Sequence, residues 1–230
     1  MPAAAIRARA RAEMITEIKA IARRQLATDG ANLSLRAVAR DMGMVSSAIY
    51  RYFPSRDDLL TALIVDGYHA LAADAEAADE EVGDRADLRG RWLAVCHAIR
   101  RWALAHPAEY ALLFGSPVPG YAAPAETTTT AVRIPTVLIR ILVDGVAAGL
   151  LVDTGGESLP GPVHADLAAV RDALFPGLPE TLLAGGALGW TQCFGSVSFE
   201  LFGHLDGTIR AREEYFDHQM RQMAHLIGLP

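Results

Sequence analysis

Residues 34–53, reading SLRAVARDMGMVSSAIYRYF, constrain the fold of this chain more than any other stretch. Two short runs of apolar residues recur there at helical spacing, and Gly43 stands between them. Glycine tolerates the positive φ that a chain needs when it reverses sharply after a helix. Ser34 precedes the first run, where its hydroxyl is expected to cap the helix. The pattern predicts a helix-turn-helix.

The second of these helices has an outer surface suited to a polyanion. Helical spacing turns Ile49, Tyr52 and Phe53 inward and leaves the other side chains to solvent. The solvent side carries hydroxyls, a phenol and a guanidinium, with no carboxylate among them. A helix with such a surface is expected to lie in the major groove of DNA.

Flanking residues extend the motif into a family resemblance. Ala22, Leu26 and Gly30 precede it, and YRYFPSRDDLL, residues 50–60, completes it. With these additions, the N-terminal part of the chain resembles the DNA-binding domain of TetR-family transcriptional repressors.

The resemblance implies an all-α fold with two domains. Residues 1–54 would form a three-helix helix-turn-helix DNA-binding domain, and residues 55–230 a helical ligand-binding and dimerisation domain. It also implies a repressor that binds a palindromic operator as a dimer and is released by a small-molecule effector. Val45 departs from the family pattern, which usually has a capping Ser or Thr there, so Ser46 is expected to cap the recognition helix instead.

Seven residues are the candidate contacts to double-stranded DNA. Phosphate contacts position a protein on the duplex, and contacts to base edges select the sequence. The candidates are Ser34, Tyr50 and Arg56 for phosphates, Ser46, Ser47 and Arg36 for base edges, and Arg51 on the same outer surface. Each of these side chains could instead serve only the fold.

Charge is divided unevenly along the chain. The net charge is −6, yet residues 1–62 hold ten basic and six acidic residues, a balance of +4. The remainder carries −10. A basic N-terminal region on an acidic body fits DNA binding through the N-terminal region alone. Residues 1–11 are expected to be a frayed terminus, and the alternative is a basic arm that reaches phosphates or the minor groove.

Other classes of protein find little support in the sequence. Two isolated cysteines, Cys96 and Cys193, exclude a disulfide framework and favour a reducing cytoplasm. The longest apolar stretch, residues 136–152, contains Arg140 and Asp144, which argues against a membrane span. The sequence has no metal-binding histidine pair, nucleophile elbow or nucleotide fingerprint. We therefore expect no enzymatic activity, no cofactor and no metal.

The C-terminal half is predicted to be a series of helices. Pro135 should kink the long apolar helix predicted from Thr127 to Leu151, or mark its true start. Residues 179–205 carry large apolar side chains at alternating spacings of four and three, the seam of closely packed helices. Small residues beside this seam, including Gly186 and Gly189, would let another helix approach closely.

Two long C-terminal helices with double apolar stripes predict a homodimer interface of four helices. The candidate interface residues are Leu183, Ala187, Phe194, Val197, Leu201, Phe216, Met220 and Met223. The alternative is an ordinary core within one chain. A symmetric pair is also what a helix-turn-helix protein needs to span half-sites ~34–36 Å apart. Glu200, a carboxylate in the apolar helix, is expected to be a paired interface residue rather than a catalytic one.

Residues 106–121 and 190–204 resemble a C-terminal domain type of the same family that is named for a Trp-His-Gly motif, with Phe194 where the motif has its His. The family implies an unknown small apolar effector in this half. An apolar wall with a few polar anchors is typical of such sites. The candidate pocket residues are Trp92, Cys96, Trp102, Tyr110, Phe114, Arg133, Val137, Ile141, Trp190 and Gln192. The alternatives are core packing for these residues and, for the protein, a ligand- or partner-binding dimer without operator binding.

Overall fold

A computed structural model describes residues 3–30, 33–153, 155 and 159–230, and in these ranges every regular element is an α-helix. The all-α prediction is therefore confirmed. The helices are α1 (Ala3–Asp29), α2 (Leu35–Asp41), α3 (Ser46–Ile49), α4 (Arg56–Glu81), α5 (Leu88–Ala105), α6 (Pro107–Phe114), α7 (Ala125–Ala131), α8 (Arg133–Ala147), α9 (Gly161–Leu174), α10 (Glu180–Leu201) and α11 (Arg212–Ile227). Of these described helices, none combines the length and the apolar character needed to cross a bilayer.

Helix ends differ from the prediction at the start of α1 and between α7 and α8, each with a local cause. α1 begins at Ala3, so the expectation of a frayed terminus is wrong for residues 3–11. This run is rich in alanine, the residue with the highest helix propensity. The single helix predicted from Thr127 to Leu151 is two helices, α7 and α8. Pro135 lies in the first turn of α8, where its missing N–H has no intrahelical partner to lose, and it marks the true start of that helix.

Contacts divide the chain into two compact units. Unit 1 consists of Met1–His69 and His106–Ala131, and unit 2 of Ala70–Ala105 and Val132–Pro230. Helix α4 therefore contributes its first half to unit 1 and its second half to unit 2. The boundary expected between residues 54 and 55 separates a DNA-binding domain from a ligand-binding and dimerisation domain. It is a division by function rather than by contacts, and it stays a prediction.

The core of unit 1 holds α1 against the helix-turn-helix. Ile18 of α1, Val38 of α2 and Ile49 of α3 are all fully buried in it. Ala39 is fully buried as well, and its small side chain lets α2 and α3 cross closely. Val118, from the segment that follows α6, belongs to the same core. The helix-turn-helix and the segment after α6 thus share one apolar interior.

Helix α10 packs against α5, α8, α9 and α11 in unit 2. Two glycines allow this close approach. A Cβ on Gly186 would lie 2.4 Å from Cδ1 of Ile139 in α8, and a Cβ on Gly189 would lie 2.5 Å from Cη2 of Trp92 in α5. The prediction that small residues admit a neighbouring helix is confirmed at both positions.

Two buried arginines of α5 carry polar groups into the interior of unit 2. Arg91 donates to Asp79 from Nε and to Asp144 from Nη2, each at 2.7 Å. Burial alone would raise the pKa of Asp79, but hydrogen bonds from its arginine partners outweigh that effect and hold the pKa below its ordinary value. Arg100 donates twice to Glu200, at 2.8 Å each. Glu200 is paired, as predicted.

Replacing Gly189 with alanine is expected to destabilise the protein by about 1–3 kcal/mol, because the new methyl would overlap the Trp92 ring in a packed core. Gly185→Ala is the matched control on the same helix, since its Cβ would meet Ile227 at an ordinary 3.6 Å. The higher helix propensity of alanine should make that change neutral or stabilising. Urea unfolding followed by circular dichroism measures both variants. Equal free energies of unfolding would contradict this packing.

Candidate nucleic-acid interface

The turn between α2 and α3 forms as its local sequence requires. Gly43 has a φ of 67°, which confirms the positive φ expected there. The Met44 N–H donates to the Ala39 carbonyl at 2.9 Å and closes the turn. The chain then enters α3 at Ser46. This geometry brings two short helices together across a single reversal of the chain.

The starts of the two helices differ from the expected capping. Ser34 occupies the N-cap position of α2, but among the described residues its hydroxyl makes no capping hydrogen bond. Val45 holds the N-cap position of α3, so the expectation that Ser46 caps this helix is wrong. Val45 is 72% exposed, and its side chain has no oxygen to accept a bond from the unpaired amides of the first turn. The Ser34 hydroxyl is therefore not committed to a cap.

Helix α3 is shorter than the recognition helix that the sequence predicts. It ends at Ile49, and a turn through Tyr52 follows. Two features oppose its continuation. Pro54 disfavours the α conformation in the residue before it. The Arg51 carbonyl accepts a hydrogen bond at 3.1 Å from Nη1 of Arg11 on α1 instead of one from a further helical turn.

Most of the predicted DNA contacts lie on the outside of unit 1. The exposed ones are Ser34, Arg36, Ser46, Ser47, Tyr50 and Arg51. Ile49 and Phe53 are buried, so α3 and the turn after it have an apolar inner side and a polar outer side, as predicted. Hydroxyls and guanidinium groups on such a surface can donate to phosphate oxygens and to base edges. The role of each residue in binding DNA stays a prediction.

Arg56, the seventh candidate, is half-buried and serves the fold. Its Nε donates to the Leu33 carbonyl at 3.0 Å, and its Nη1 lies 3.6 Å from the Asp57 carboxylate. The guanidinium thus ties the chain that enters α2 to the start of α4. Ser55 caps α4, because its Oγ accepts a hydrogen bond from the Asp58 amide at 3.1 Å.

Arg11 contributes to this surface although its sequence context did not single it out. Besides donating to the Arg51 carbonyl, its guanidinium lies 5.2 Å from the centroid of the Tyr52 ring, within cation–π range. Arg11 therefore positions the exposed turn that follows α3. It shares a face of α1 with Met14 and Ile18, three and seven residues later, and this spacing is the signal that could have identified it.

The residues predicted to line an effector pocket fall in both units. Tyr110 and Phe114 belong to unit 1, and the other eight belong to unit 2. Trp92 is fully buried in unit 2, where its Nε1–H donates to a backbone carbonyl of α11 at 3.2 Å. Arg133 pairs with Glu76 at 2.7 Å. The remaining members are Cys96, Trp102, Val137 and Ile141, which are buried, and Trp190 and Gln192, which are half-buried. Their role in a pocket stays a prediction.

The described part of the chain places no group of three or more His, Cys, Asp or Glu side chains where they could hold a metal ion together. Acidic residues inside unit 2 form ion pairs with arginine rather than a metal site. Asp79 and Glu200, for example, face Arg91 and Arg100 at hydrogen-bond distance.

Most of the predicted dimer residues take part in packing within unit 2. The buried ones are Leu183, Phe194, Val197, Phe216 and Met220, and the half-buried ones are Ala187, Leu201 and Met223. The seam that the sequence shows is thus engaged in contacts of α10 and α11 with other helices of the same chain.

The outward face of α10 carries a second set of apolar residues. Leu188, Phe199 and Phe202 are 50%, 56% and 43% exposed, and their spacing places them on one side of the helix. A groove of about 250 Å³ is lined by Gly195 and Phe199 of α10 together with Tyr215 of α11, so the outer faces of the two helices adjoin. Large apolar side chains exposed along one side of a helix make this face a candidate contact surface.

Two family models match this chain. Residues 18–63 match the bacterial regulatory proteins of the tetR family, and residues 92–223 match the tetracyclin repressor-like C-terminal domain. The first match contains the whole helix-turn-helix, and the second begins in α5 and ends in α11. The second match does not distinguish the Trp-His-Gly type from other C-terminal domains of this kind.

Relatives and solved structures agree with these matches. The chain is 40% identical over 232 residues to the HTH-type transcriptional regulators Mb1846 of Mycobacterium bovis and Rv1816 of Mycobacterium tuberculosis, covering 95% of this chain and 94% of each relative. The crystal structure of SCO4313, described as a regulatory protein, is similar with a TM-score of 0.76 and 35% identity, covering 94% of this chain and 98% of that one. The TetR family regulator PfmR from Thermus thermophilus shares the fold, with a TM-score of 0.58 at 18% identity over 89% of this chain and 97% of that one.

Replacing Val45 with serine is expected to stabilise the protein by about 0.5–2 kcal/mol, because a hydroxyl at the N-cap of α3 can accept a bond from an unpaired amide of its first turn. Val45→Ala is the matched control, since it removes the same apolar side chain without adding an acceptor. Thermal unfolding followed by circular dichroism compares the two. Identical melting temperatures for the serine and alanine variants would contradict the capping position of Val45.

Proposed function

Because the chain belongs to the TetR family of helix-turn-helix transcriptional regulators, we propose that it is a repressor that binds a palindromic operator as a dimer and leaves it when a small molecule binds. The family consists of DNA-binding regulators rather than enzymes. The observation that carries the proposal is the outer side of α3 and of the turn after it. This side is polar and exposed, and a buried apolar core supports it from behind.

The residues on this surface are expected to contact either base edges or phosphates of the operator, according to their position. Ser46 and Ser47 stand on the first turn of α3, the part of a recognition helix that contacts base edges in the major groove. Tyr50 and Arg51 follow on the exposed turn, where a phenol and a guanidinium can reach the phosphates that flank the groove. Arg56 acts mainly by holding α4 to the entry of α2, so its contribution to affinity is indirect.

Replacing Arg51 with alanine is expected to weaken binding to duplex DNA from the protein's own promoter region and to reduce the salt dependence of binding by about one phosphate contact. The loss is expected for related and unrelated duplexes alike, because phosphates carry no sequence information. Arg140→Ala is the matched control, since Arg140 is an exposed arginine of α8 in unit 2. Fluorescence anisotropy across a series of KCl concentrations measures affinity and slope. An Arg51 variant that binds as the wild type does at every salt concentration would contradict the assignment.

Dimerisation is proposed through the outward faces of α10 and α11. Leu188 and Phe199 of α10 and Phe202, the C-cap of that helix, expose large apolar surface, and Leu226 of α11 is 59% exposed. Two copies that bury these faces against each other would form a four-helix interface with two-fold symmetry. A two-fold pair also matches the symmetry of a palindromic operator. This proposal moves the interface from the buried seam of α10 to its exposed side.

A charge placed on this face tests the dimer. Phe199→Arg is expected to convert the protein from a dimer to a monomer of 24.6 kDa, because a buried arginine without a partner would oppose association. Val163→Arg, at an exposed apolar position of α9, is the matched control and should remain dimeric. Light scattering coupled to size-exclusion chromatography at micromolar concentration gives the mass. A wild type that elutes as a monomer, or a Phe199 variant that remains a dimer, would refute the interface.

The C-terminal domain is inferred to be of the Trp-His-Gly type on the strength of residues 106–121 and 190–204. Phe194 takes the place of the motif histidine, and its ring centroid lies 6.3 Å from that of Trp190 in an edge-on arrangement. The position therefore contributes an aromatic contact in this chain, and any polar role of the motif residue is lost.

Release of the operator requires an effector that binds the two states of the protein with different affinity. A coupling of ~1–3 kcal/mol changes operator affinity by about 5- to 150-fold, which is enough for a switch. Most of the apolar residues predicted for the effector pocket are packed into the core of unit 2, so a cavity elsewhere in the chain is a second candidate for the effector site.

A further inference from the structure

We propose that the effector site is a cavity within unit 1, and that it takes a small, uncharged, largely apolar molecule that carries a hydrogen-bond acceptor. The cavity has a volume of about 410 Å³, within the ~300–1,000 Å³ of typical ligand sites. Its walls come from Ile64 and Tyr68 of α4, from Leu113 of α6 and from Thr128 of α7. The inference rests on the proposed function, because an effector has meaning only for a protein that binds DNA.

The walls set the chemical class of the ligand. Among the described residues that line the cavity, none is Asp, Glu, Lys, Arg or His. A charged ligand would lose part of its hydration against these walls without gaining a counter-charge, which is costly. Ile64, Leu112, Leu113 and Val118 supply an apolar surface, and hydroxyls supply the polar positions. This combination fits a neutral molecule with an apolar body.

Two phenols can donate hydrogen bonds to such a ligand. The Tyr68 hydroxyl donates to the Leu113 carbonyl at 3.5 Å, at the long end of the hydrogen-bond range, so a ligand acceptor can replace this partner. The Tyr121 hydroxyl lies 2.9 Å from Oγ1 of Thr61. Burial, and then the neighbouring Tyr121, raises the pKa of Tyr68 above its ordinary value. Tyr68 therefore stays a neutral donor at physiological pH.

The same side chains connect the cavity to the helix-turn-helix. Val118 lines the cavity and belongs to the apolar core that buries α1, α2 and α3. Leu112 and Tyr121 also line the cavity and pack against that core. Arg23 of α1 donates to Glu109 of α6 at 3.0 Å and to a carboxylate of α4 at 2.9 Å. A ligand that shifts α6 or the segment after it therefore acts directly on the helices that present α3.

The segment also has room to move. A second cavity of about 200 Å³ lies among Leu26, Gly30, Ala108, Leu112 and Val118, between the end of α1 and the base of α6. Leu112 and Val118 border both cavities. A ligand in the larger cavity can displace these side chains toward the smaller one without opening the core, which is the kind of discrete shift that a switch requires.

The test uses the full-length protein and prodan, a neutral naphthalene ketone whose emission reports the polarity around it. Prodan is expected to bind saturably with one site per chain, to shift its emission to the blue, and to lower the affinity for promoter duplex by about 5- to 150-fold. The anionic dye anilinonaphthalene sulfonate is expected not to displace it, because the walls offer no counter-charge.

A cavity-filling variant locates the site. Ala131 is half-buried at the wall in α7, so Ala131→Trp is expected to abolish prodan binding and to leave DNA binding intact. Ala125→Trp, at an exposed position of the same helix, is the matched control and should bind prodan as the wild type does. Prodan binding that persists in Ala131→Trp, or a wild type without saturable prodan binding, overturns the site.

Tyr121→Phe keeps the test decisive if the tryptophan variant fails to fold. It removes one hydroxyl at nearly constant volume, so prodan should bind about 2- to 12-fold more weakly while naphthalene, which has no acceptor, binds unchanged. Equal effects on both probes overturn the hydrogen-bonding role. A failure of the proposed function can be told apart from a failure of the cavity. If the protein never binds duplex DNA, the repressor proposal is wrong, and prodan binding still shows whether the cavity takes a ligand.

Discussion

The fold of unit 1 depends on apolar packing between α1 and the helix-turn-helix. Helices of seven and four residues, such as α2 and α3, are too short to persist alone in water. Burial of Ile18, Val38 and Ile49 in this core stabilises the fold by about 1.5–3 kcal/mol for each side chain. The polar outer surface of α3 exists in a defined position only because this apolar inner surface is held.

The same core reaches beyond the DNA-contacting helices. Val118 enters it from the segment after α6, and the Arg23 guanidinium bridges α1 to α6 through Glu109. The elements that would read an operator and those that wall the larger cavity are therefore parts of one packed unit. A ligand bound in the cavity as proposed would act on DNA binding through a shift of shared side chains, because well-packed interiors change between discrete arrangements rather than deforming continuously.

Helix α10 shows a limit of sequence patterns, which do not identify the buried side of a helix that has two apolar stripes. It carries apolar residues on two sides at helical spacing, one set with Leu183 and Phe194 and another with Leu188 and Phe199. Periodicity gives the spacing of a stripe, but it does not say which of two stripes faces the interior. The glycines settle the matter, since Gly189 meets the Trp92 ring and fixes the inward side of the helix. The same limit applies to the candidate pocket residues, because large apolar residues such as Trp92 fill a core as readily as they line a cavity.

The sequence by itself determined the all-helical fold, the turn at Gly43, the cap at Ser55 and the start of α8 near Pro135, since each depends on residues within a few positions of one another. It also determined the family, because the motif that carries the resemblance is a continuous stretch. Only the tertiary structure decided that Arg11 holds the chain at Arg51, which side of α10 is exposed, and that the cavity forms beside the helix-turn-helix core. Those features arise from contacts between residues far apart in the chain, and a local pattern carries no information about which distant partner a side chain will meet.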